Sequence, residues 1–421
     1  MRRLEGLPPS TCEVSMLWKT RAFLGPPIAV ALVLTACGPK PSGEKAAAPA
    51  VTAPSAADRA AVAQAMAKAA MIKPGDRVFI AGSVRDNDLL EDLAVEAMKL
   101  GGQPLIAIGS DRLTRRSYDE VPASFDNAAP TLGLALANAF DVQLSVDVGE
   151  SDSVLTGVPA ARIAARSKAG DPANKAWYRR NIRQVNLGNG LYPTATLAAR
   201  LGMAQADLAS AFWHAAAMPA ESIRARGAAA YAALKGGRQV TITAPNGTNL
   251  TFTVIGTKAA LSDGALTPEK VRQGGFAVYT FLPAGELNVP AVAGSADGKL
   301  VIDKVTVLGT DVVGLTLVFS HGKMTSMTAQ SGLDPLKAAY DAAGGAKDQL
   351  SGIDLGLNPE IKLPLTTGRI VWMAAGALTV GVGDNQALGG TNVSDFGFNG
   401  AISGATLTVD GKTVIDHGVL K

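Results

Sequence analysis

The chain has few of the residues that most often bind transition metals. Its 421 residues include three His, namely His214, His321 and His417, and two Cys, Cys12 and Cys37. Two Cys allow at most one bridge, which excludes a small fold held together by several disulfides. Three His in a chain of this length leave little scope for a metal site built from several imidazoles. The zinc-binding pattern His-Glu-x-x-His does not occur either.

Charge and aromatic content are also low. Charged residues make up 18% of the chain and aromatic residues 5%, and the net charge is only +3. A net charge so close to zero gives no electrostatic basis for binding nucleic acid, and no nucleic-acid partner is expected. Hydrophobic residues reach 47%, which excludes a disordered chain and leaves material for a large buried core.

Several catalytic and nucleotide-binding motifs are missing. The turns at Ala81–Ser83 and Gly381–Asp384 contain glycine, but neither completes a dinucleotide-binding fingerprint, and the full phosphate-binding motif Gly-x-x-x-x-Gly-Lys-Ser/Thr does not occur. The Gly-x-Ser-x-Gly turn of many serine hydrolases is absent as well. Nucleotide binding and serine hydrolase chemistry are therefore disfavoured.

The first 36 residues have the layout of a secretory signal. A short basic segment, Met16–Arg21, precedes the apolar stretch Ala22–Ala36, which ends in the lipoprotein pattern Leu34–Cys37. Residues 1–36 are interpreted as an over-extended start plus a signal peptide. The alternatives are a transmembrane helix, which would need about 20 apolar residues and no Pro26-Pro27 interruption, or a buried Cys that follows an apolar run by chance.

Cleavage would leave Cys37 as a lipid-bearing N-terminus that anchors the protein to a membrane. Residues 37–55 are rich in Pro, Ala and Ser, so they are expected to form a tether between the lipid and the globular part. Gly38 is not an acidic retention signal. The predicted location is the bacterial cell envelope, with the outer membrane favoured over the inner.

A change in the sequence pattern divides the globular part into an α/β domain, residues 56–236, and a β-rich α+β domain, residues 237–421. In the first, alternating helical and extended patterns predict a parallel sheet. Its predicted helices are Ala56–Met71, Asp86–Leu100, Thr131–Phe140, Val158–Ser167 and a stretch from Thr194 to Leu234 that breaks at Met203–Asp207. Its predicted strands are Arg77–Ala81, Pro104–Ile108, Val142–Val148 and Ile182–Asn186. The second shows period-two alternation with hairpin turns at Asn246-Gly247, Asp297-Gly298, His321-Gly322 and Asp410-Gly411.

The ionisable candidates are weak when each is taken by itself. His214 lies in an apolar helical segment and is expected to be structural, His321 is expected at an exposed hairpin turn, and His417 follows Asp416. Glu286 is more suggestive, because the Pro- and Gly-containing segment Phe281–Pro290 surrounds one carboxylate with apolar residues. A buried salt bridge and a functional carboxylate both remain open for Glu286.

Several segments, in the same order and with similar spacing, resemble the aminopeptidase T / aminopeptidase S family of dinuclear metallo-aminopeptidases. The match extends from about Met71 to Gly418. The matching segments are Pro74–Val78, Glu96–Leu105, Tyr192–Thr194, Ala198–Met203, Val240–Leu250, Leu282–Glu286, Pro290, Ala296–Ile302, Gly356–Pro359 and Asp410–Lys412.

The resemblance implies a set of metal ligands, most of which this chain lacks. Family members bind two metal ions through two Glu, two His and an Asp, with a Tyr nearby. Glu286 matches the first Glu. The remaining matched positions hold residues of other types: Gly352 for the second Glu, Thr379 for the first His, a place near Gln386 for the Tyr, and Gly397 and Asn399 for the closing His and Asp.

Two hypotheses follow from this mismatch. The first is a catalytically degenerate or altered member with a peptide-binding or scaffold role and no cofactor. Its cleft would be lined by Glu286, Asp384, Asn385, Asp395 and Asn399. The alternative is an active aminopeptidase in which replacement carboxylates hold zinc, manganese or cobalt. Those carboxylates would be Glu286, Asp354, Asp384 and Asp395. A different hydrolase with a new site is a third possibility, for which no residues stand out. The resemblance also implies a homodimer.

Overall fold

The structure is a computed structural model that describes residues 54–151, 153–307, 310–363 and 372–421. The predicted signal segment 1–36, the lipidation site Cys37 and the tether up to residue 53 lie outside the described residues. Within these ranges, no helix combines the length and the apolar character needed to cross a bilayer.

Helices are concentrated in the N-terminal half of the described chain. They are α1 (Ala56–Ala69), α2 (Asn87–Lys99), α3 (Asp111–Asp119), α4 (Thr131–Ala139), α5 (Ala160–Arg179), α6 (Ala195–Leu201), α7 (Gln205–Ala216), α8 (Ala220–Gly236), α9 (Pro268–Gln273) and α10 (Leu333–Ala342).

Strands occur throughout and dominate the C-terminal half. They are β1 (Arg77–Ser83), β2 (Gln103–Gly109), β3 (Val142–Val146), β4 (Arg183–Leu187), β5 (Gln239–Thr243), β6 (Asn249–Thr253), β7 (Ala260–Ser262), β8 (Tyr279–Leu282), β9 (Glu286–Pro290), β10 (Asp297–Val307), β11 (Thr310–Ser320), β12 (Lys323–Thr328), β13 (Leu350–Gly356), β14 (Leu378–Gly383), β15 (Gly397–Ile402), β16 (Thr406–Val409), β17 (Lys412–Asp416) and β18 (Val419–Leu420).

The predicted parallel sheet is confirmed. In the described residues its strand order is β2-β1-β3-β4-β8, and every neighbouring pair runs parallel. Helices α1, α2, α6 and α7 share one hydrophobic core with β1, β3 and β4, whereas α4 and α5 pack around Phe79 and Phe140 in a separate cluster. Helices on both faces are what a parallel sheet requires, since neither face can be left in water.

The fifth strand of the parallel sheet comes from later in the chain than predicted. Strand β8 pairs with β4 from Gln184↔Tyr279 to Leu187↔Leu282. Because β8 belongs to the segment 237–421, a division at residue 236 does not separate the sheets. The chain returns to the parallel sheet once before it completes the β-rich part.

The β-rich part is a sandwich of two antiparallel sheets. The large sheet has the order β12-β11-β10-β6-β5-β16-β17-β18, and the small sheet has the order β15-β14-β13-β9-β7. Alternate side chains from both sheets form one hydrophobic core. The Asn246-Gly247, His321-Gly322 and Asp410-Gly411 turns join the predicted hairpins.

Two local predictions differ from the structure. Asp297-Gly298 begins β10 and is not a turn; Gly298 is needed there because a Cβ atom would lie 2.2 Å from the carbonyl oxygen of Asn249. The stretch from Thr194 onward breaks twice, so it forms α6, α7 and α8. Thr194 caps the first of these through a bond from Leu197 N, and Gly202 ends it in the left-handed conformation.

Candidate functional site

Glu286 lies where the chain passes from the parallel sheet into the small sheet. Only three residues separate the end of β8 at Leu282 from Glu286, the first residue of β9. Asn358 holds this connection, because its side-chain amide donates to the carbonyl of Ala284 at 2.8 Å and a Cβ atom on Gly285 would lie 2.9 Å from its backbone nitrogen. Glu286 is thereby placed beside the carboxyl edge of the parallel sheet.

The small sheet has one apolar and one polar face. Leu287, Val289, Ile353 and Leu355 belong to the sandwich core, so the residues between them point to the opposite side. We call that opposite side the polar face. Its polar residues are Ser262, Glu286, Asn288, Asp354, Thr379 and Asn399.

Strand register places these residues in neighbouring rows, where a row is a line of directly paired residues that runs across the strands of the small sheet. Asp354 on the central strand β13 lies between Asn288 on β9 and Thr379 on β14. Glu286 lies opposite Ser262, one row away. Asp354 is buried, with 6% of its surface exposed, and both Glu286 and Asp354 have further interactions in the structure. The polar face therefore places two carboxylates on adjacent strands.

Glycines occupy much of the remaining polar face, and backbone crowds several of them. A Cβ atom on Gly352 would lie 2.4 Å from the carbonyl oxygen of Val289, and one on Gly356 would lie 1.8 Å from that of Ala374. Real Cβ atoms do not approach backbone this closely. These positions therefore accept no side chain unless the strands shift.

Asn399 supplies an unused acceptor on the same face. It pairs in register with Gly381, which has no side chain to reach it. Its Oδ1 atom is buried and has no hydrogen-bond partner among the described residues. A buried acceptor without a donor costs stability, so such an atom is a candidate contact for a ligand N–H or O–H group.

Two of the predicted cleft residues, Asp384 and Asn385, form hydrogen bonds that stabilise the loop after β14. The Asp384 carboxylate accepts from the backbone nitrogens of Gln386 and Ser394, each at 3.2 Å. Asn385 is fully buried, donates to the carbonyls of Ala291 and Ser351, and accepts from Asn392 N at 2.8 Å. Their contacts are structural.

The replacement carboxylates do not assemble into a metal site. Asp395 is exposed, and Asp384 is engaged in its own loop. In the described ranges, which include Glu286, Asp354, Asp384 and Asp395, no three His, Cys, Asp or Glu residues are placed to hold a metal ion. The residues present at this site do not fit a dinuclear centre, so we derive no metal-dependent step.

The histidines are all exposed. The prediction for His321 is confirmed, because it lies at the β11–β12 turn with positive φ and contacts the Ser320 hydroxyl. His417 contacts Asp416 at 2.7 Å. His214 differs from expectation, since it lies on the exposed side of α7 although its neighbours Phe212 and Trp213 are buried.

A second polar cluster, which the sequence did not reveal, lies at the carboxyl ends of β1 and β3. The Asp86 carboxylate is paired with Arg85 at 3.1 Å and accepts from the Tyr192 hydroxyl at 2.5 Å. Arg85 also stacks over the Tyr192 ring and donates to the carbonyl of Asp147. The strand order changes direction between these two strands, and ligands of open α/β sheets commonly bind at such a point.

Burial governs the ionisation of this cluster. It raises the pKa of the Asp86 carboxyl, and the nearby Arg85 guanidinium opposes that shift. Burial likewise raises the pKa of Asp147, against the hydrogen bond from Asn186. Tyr192 belongs to one of the segments that resemble the family, but no pattern in the sequence connects it with Asp86 or Asp147, which become its neighbours only through the sheet order.

Comparison with known proteins identifies the family of the chain and structures that share its fold. Residues 58–360, about seven-tenths of the chain, match the family model described as thermophilic metalloprotease (M29). The chain belongs to this family. Wild-type AmpT from Thermus thermophilus has a similar structure, with a TM-score of 0.61 and 18% identity over 86% of this chain and 99% of that one.

A further structure shares the fold of this M29 member. The 2,5-dihydroxypyridine dioxygenase from Pseudomonas putida KT2440 aligns with a TM-score of 0.54 and 15% identity over 87% of this chain and 97% of that one. No protein with a curated description matches the sequence. The M29 match includes Glu286 and Gly352 but ends before Thr379, Gly397 and Asn399.

Proposed function

We propose that this M29 member is a lipid-anchored envelope protein that binds peptides on the polar face of its small sheet without hydrolysing them. One observation carries the proposal. The positions matched to the family's metal ligands alternate onto a single face, yet only Glu286 among them retains a ligand side chain. The other positions are Gly352, Thr379, Gly397 and Asn399.

Crowding at Gly352 supports loss of the metal site. A carboxylate at this position would need its Cβ atom where the Val289 carbonyl already lies. The local backbone is thus adapted to glycine, and a simple reversion to Glu is not accommodated. Two divalent ions need several charged or imidazole ligands, and each missing ligand removes a large part of the affinity.

The remaining groups suit a polar ligand with an extended backbone. Asn288, Thr379 and Asn399 offer amide and hydroxyl groups, and Glu286 and Asp354 offer negative charge. The free Oδ1 acceptor of Asn399 suits a peptide N–H group. One solved protein with this fold is named a dioxygenase. This name supports the view that the fold can carry functions other than peptide hydrolysis.

The test combines metal analysis, turnover and binding on the full-length chain. We expect less than stoichiometric zinc, manganese or cobalt, no release of amino acids from di- and tripeptides, and measurable binding of such peptides by calorimetry. Asn399→Ala and Glu286→Gln should weaken binding at least fivefold, which corresponds to the loss of about one hydrogen bond. The control Glu269→Gln, an exposed carboxylate on α9, should leave binding unchanged.

Two results would overturn the proposal. Stoichiometric metal together with peptide turnover that Glu286→Gln abolishes would establish an active aminopeptidase. Absence of any peptide binding would remove the peptide role.

The envelope location rests on the lipoprotein pattern that ends at Cys37. Cells grown with a fatty-acid label should incorporate it into the wild-type protein and into Cys12→Ala, but not into Cys37→Ala. The Cys37→Ala variant should also fail to mature normally. Equal labelling of all three proteins, or of none, would contradict lipidation at Cys37.

A further inference from the structure

The outer face of the large sheet carries a groove that the proposed peptide role does not use. The inner face of this sheet belongs to the sandwich core, so the residues between the core residues point outward. The groove has a volume of about 540 Å³, which lies within the range of about 300–1,000 Å³ usual for small-molecule sites. We call it the outer groove. Its lining residues are Asn246, Lys299, Val301, Asp303, Gly314, Thr316 and Gln330.

An irregularity shared by β10 and β11 shapes the floor of the outer groove. Core residues normally recur at every second position of a strand. In β10, however, Ile302 is followed in the core by Val305, and in β11 Val312 is followed by Leu315. Both strands thus exchange their inner and outer sides at paired positions. Gly314, at this step, has a φ of +61°, which residues with a side chain rarely adopt, so bare backbone lies at the bottom of the groove.

Two carboxamide side chains line the groove, one fixed and one available. Asn246 donates to the carbonyl of Val301 at 2.9 Å and to the Asp303 carboxylate at 3.2 Å. Gln330 lies against the backbone of Gly314, since a Cβ atom there would be 2.7 Å from its Cγ and Cδ atoms. The Gln330 amide is exposed and has no hydrogen-bond partner in the part of the chain that the structure describes. It can therefore bond a ligand without breaking an existing contact.

The charges in the outer groove balance each other. Lys299 is exposed, and among the described residues its ammonium group forms no ion pair. Asp303 uses only its Oδ1 atom toward Asn246, which leaves the other oxygen for a ligand. One cation beside one anion gives no net field to attract a polyanion or a polycation. The groove is therefore suited to a ligand with little net charge and many hydrogen-bonding groups.

The position of the groove disfavours a peptide strand as the occupant. Strand β10 lies between β6 and β11, and β11 lies between β10 and β12, so neither has a free edge to which a peptide could add. A ligand on this face meets side chains instead of backbone groups. Carboxylate, carboxamide, hydroxyl and ammonium groups all form hydrogen bonds with the hydroxyl groups of a sugar.

Polar side chains continue from the groove across the sheet. Lys299 stands in a row of directly paired residues with Asn249, Thr243 and Thr406, each on the next strand along. Neighbouring strands are about 4.8 Å apart, so the row repeats a polar group at regular intervals. Such a row suits a polymer of repeating hydroxylated units better than a single small molecule.

We propose that the outer groove binds a glycan of N-acetylated amino sugars. The Gln330 amide would both donate to and accept from an acetamido group, and Val301 would contact its methyl group. The Asp303 carboxylate would accept from sugar hydroxyls, while Lys299 and Thr316 would donate to sugar oxygens. This site goes beyond the peptide role and does not depend on it. Only the source of the glycan rests on the envelope location proposed above, which would place the protein beside a cell wall built of such sugars.

Calorimetry on the full-length chain tests the site with two soluble probes. Chitotetraose, which has four N-acetylglucosamine units, should bind, and cellotetraose, which lacks the acetamido groups, should bind at least tenfold more weakly. Gln330→Ala and Asp303→Ala should each weaken chitotetraose binding at least fivefold, which corresponds to the loss of about one hydrogen bond. The controls Gln273→Ala and Asp171→Ala, exposed residues outside the groove, should leave it unchanged.

Further arms separate this site from the peptide site and identify the source of the glycan. Gln330→Ala should not affect peptide binding, and Glu286→Gln should not affect chitotetraose binding. Wild-type protein that sediments with purified cell-wall sacculi, less so with Gln330→Ala, would support the wall as the source. Chitotetraose binding without such sedimentation would support the site with a free oligosaccharide as its ligand.

Three results would overturn the proposal. They are no binding of chitotetraose, equal affinity for cellotetraose, and chitotetraose binding that Gln330→Ala and Asp303→Ala leave unchanged. Displacement of chitotetraose by a tripeptide would also overturn it, because the groove would then be a second peptide site.

Discussion

Gly352 in β13 lies directly against Val289 of β9, so that a Cβ atom on Gly352 would be 2.4 Å from the Val289 carbonyl oxygen. The sequence resemblance matches this position to the second Glu ligand of the family, which remains a prediction. We predict that Gly352→Glu destabilises the protein by about 2 kcal/mol or more, because β9 and β13 must separate to admit the side chain. Urea unfolding measures the loss, and metal affinity should not rise.

The same substitution at an uncrowded glycine provides the control. Gly170 lies inside α5, where a Cβ atom would meet nothing within 4 Å. Gly170→Glu should be neutral or stabilise the protein by up to about 1 kcal/mol, since Gly is a poor helix former. If Gly352→Glu were as stable as Gly170→Glu, the crowding at β9–β13 would not govern this position.

Asn385 is predicted to be a structural residue. It is fully buried and bonds the carbonyls of Ala291 and Ser351 and the backbone nitrogen of Asn392. Asn385→Ala leaves these groups without partners and should cost about 2–4 kcal/mol in the free energy of unfolding. The exposed neighbour variant Gln386→Ala should cost less than about 0.5 kcal/mol. A stable Asn385→Ala variant with impaired peptide binding would instead assign Asn385 to the binding site.

The sequence predicts the type of fold better than it predicts where domains and helices end, and the reasons are physical. Alternating patterns between Arg77 and Leu187 were enough for the parallel sheet, because local periodicity reflects which side is buried. The fifth strand, β8, cannot be predicted from local periodicity, because its pairing with β4 depends on contacts between residues nearly a hundred positions apart. Helix α5 continues past Pro172, where local preference alone ends a helix, because Ala173, Ala176 and Trp177 are buried by packing.

The site was predictable only where a residue's face follows from strand alternation. The resemblance matches Glu286, Thr379 and Asn399 to ligand positions of the family, and strand alternation places all three on one face. Asp384 and Asn385 were chosen only because they follow a matched strand. Both instead bond their own loop, and no periodic pattern distinguishes such loop contacts from a ligand site.

The N-terminal part should show an acid transition that depends on Asp126. Arg162 donates two hydrogen bonds to this carboxylate, at 2.6 and 3.0 Å, and with Arg166 it lowers the pKa of Asp126 to about 2. An unfolded Asp has a pKa of about 3.9. A folded pKa below the unfolded one contributes stability above about pH 4 that is lost as the pH falls toward about 2.

Asp126→Asn removes that contribution. The variant should be less stable than wild type at pH 7, and the gap between them should narrow as the pH falls from about 4 to about 2. Thermal unfolding between pH 2 and 7 measures this. The exposed Asp171→Asn serves as the matched control and should not produce the narrowing gap. A gap that stays constant down to pH 2 would contradict the role of the Asp126 carboxylate.

Tyr192 and Asp86 link the end of β1 to the segment before α6. Tyr192→Phe keeps the ring under Arg85 but removes the hydroxyl that donates to the buried carboxylate. We expect a loss of about 1–3 kcal/mol at pH 7, because a bond to a charged acceptor disappears. The loss should shrink below the pKa of Asp86, which burial raises, since a neutral carboxyl accepts a weaker bond. Urea unfolding at pH 4 and 7 tests both parts, with Tyr231→Phe on α8 as the control. An equal loss at the two pH values would mean that Asp86 does not change its charge in this range.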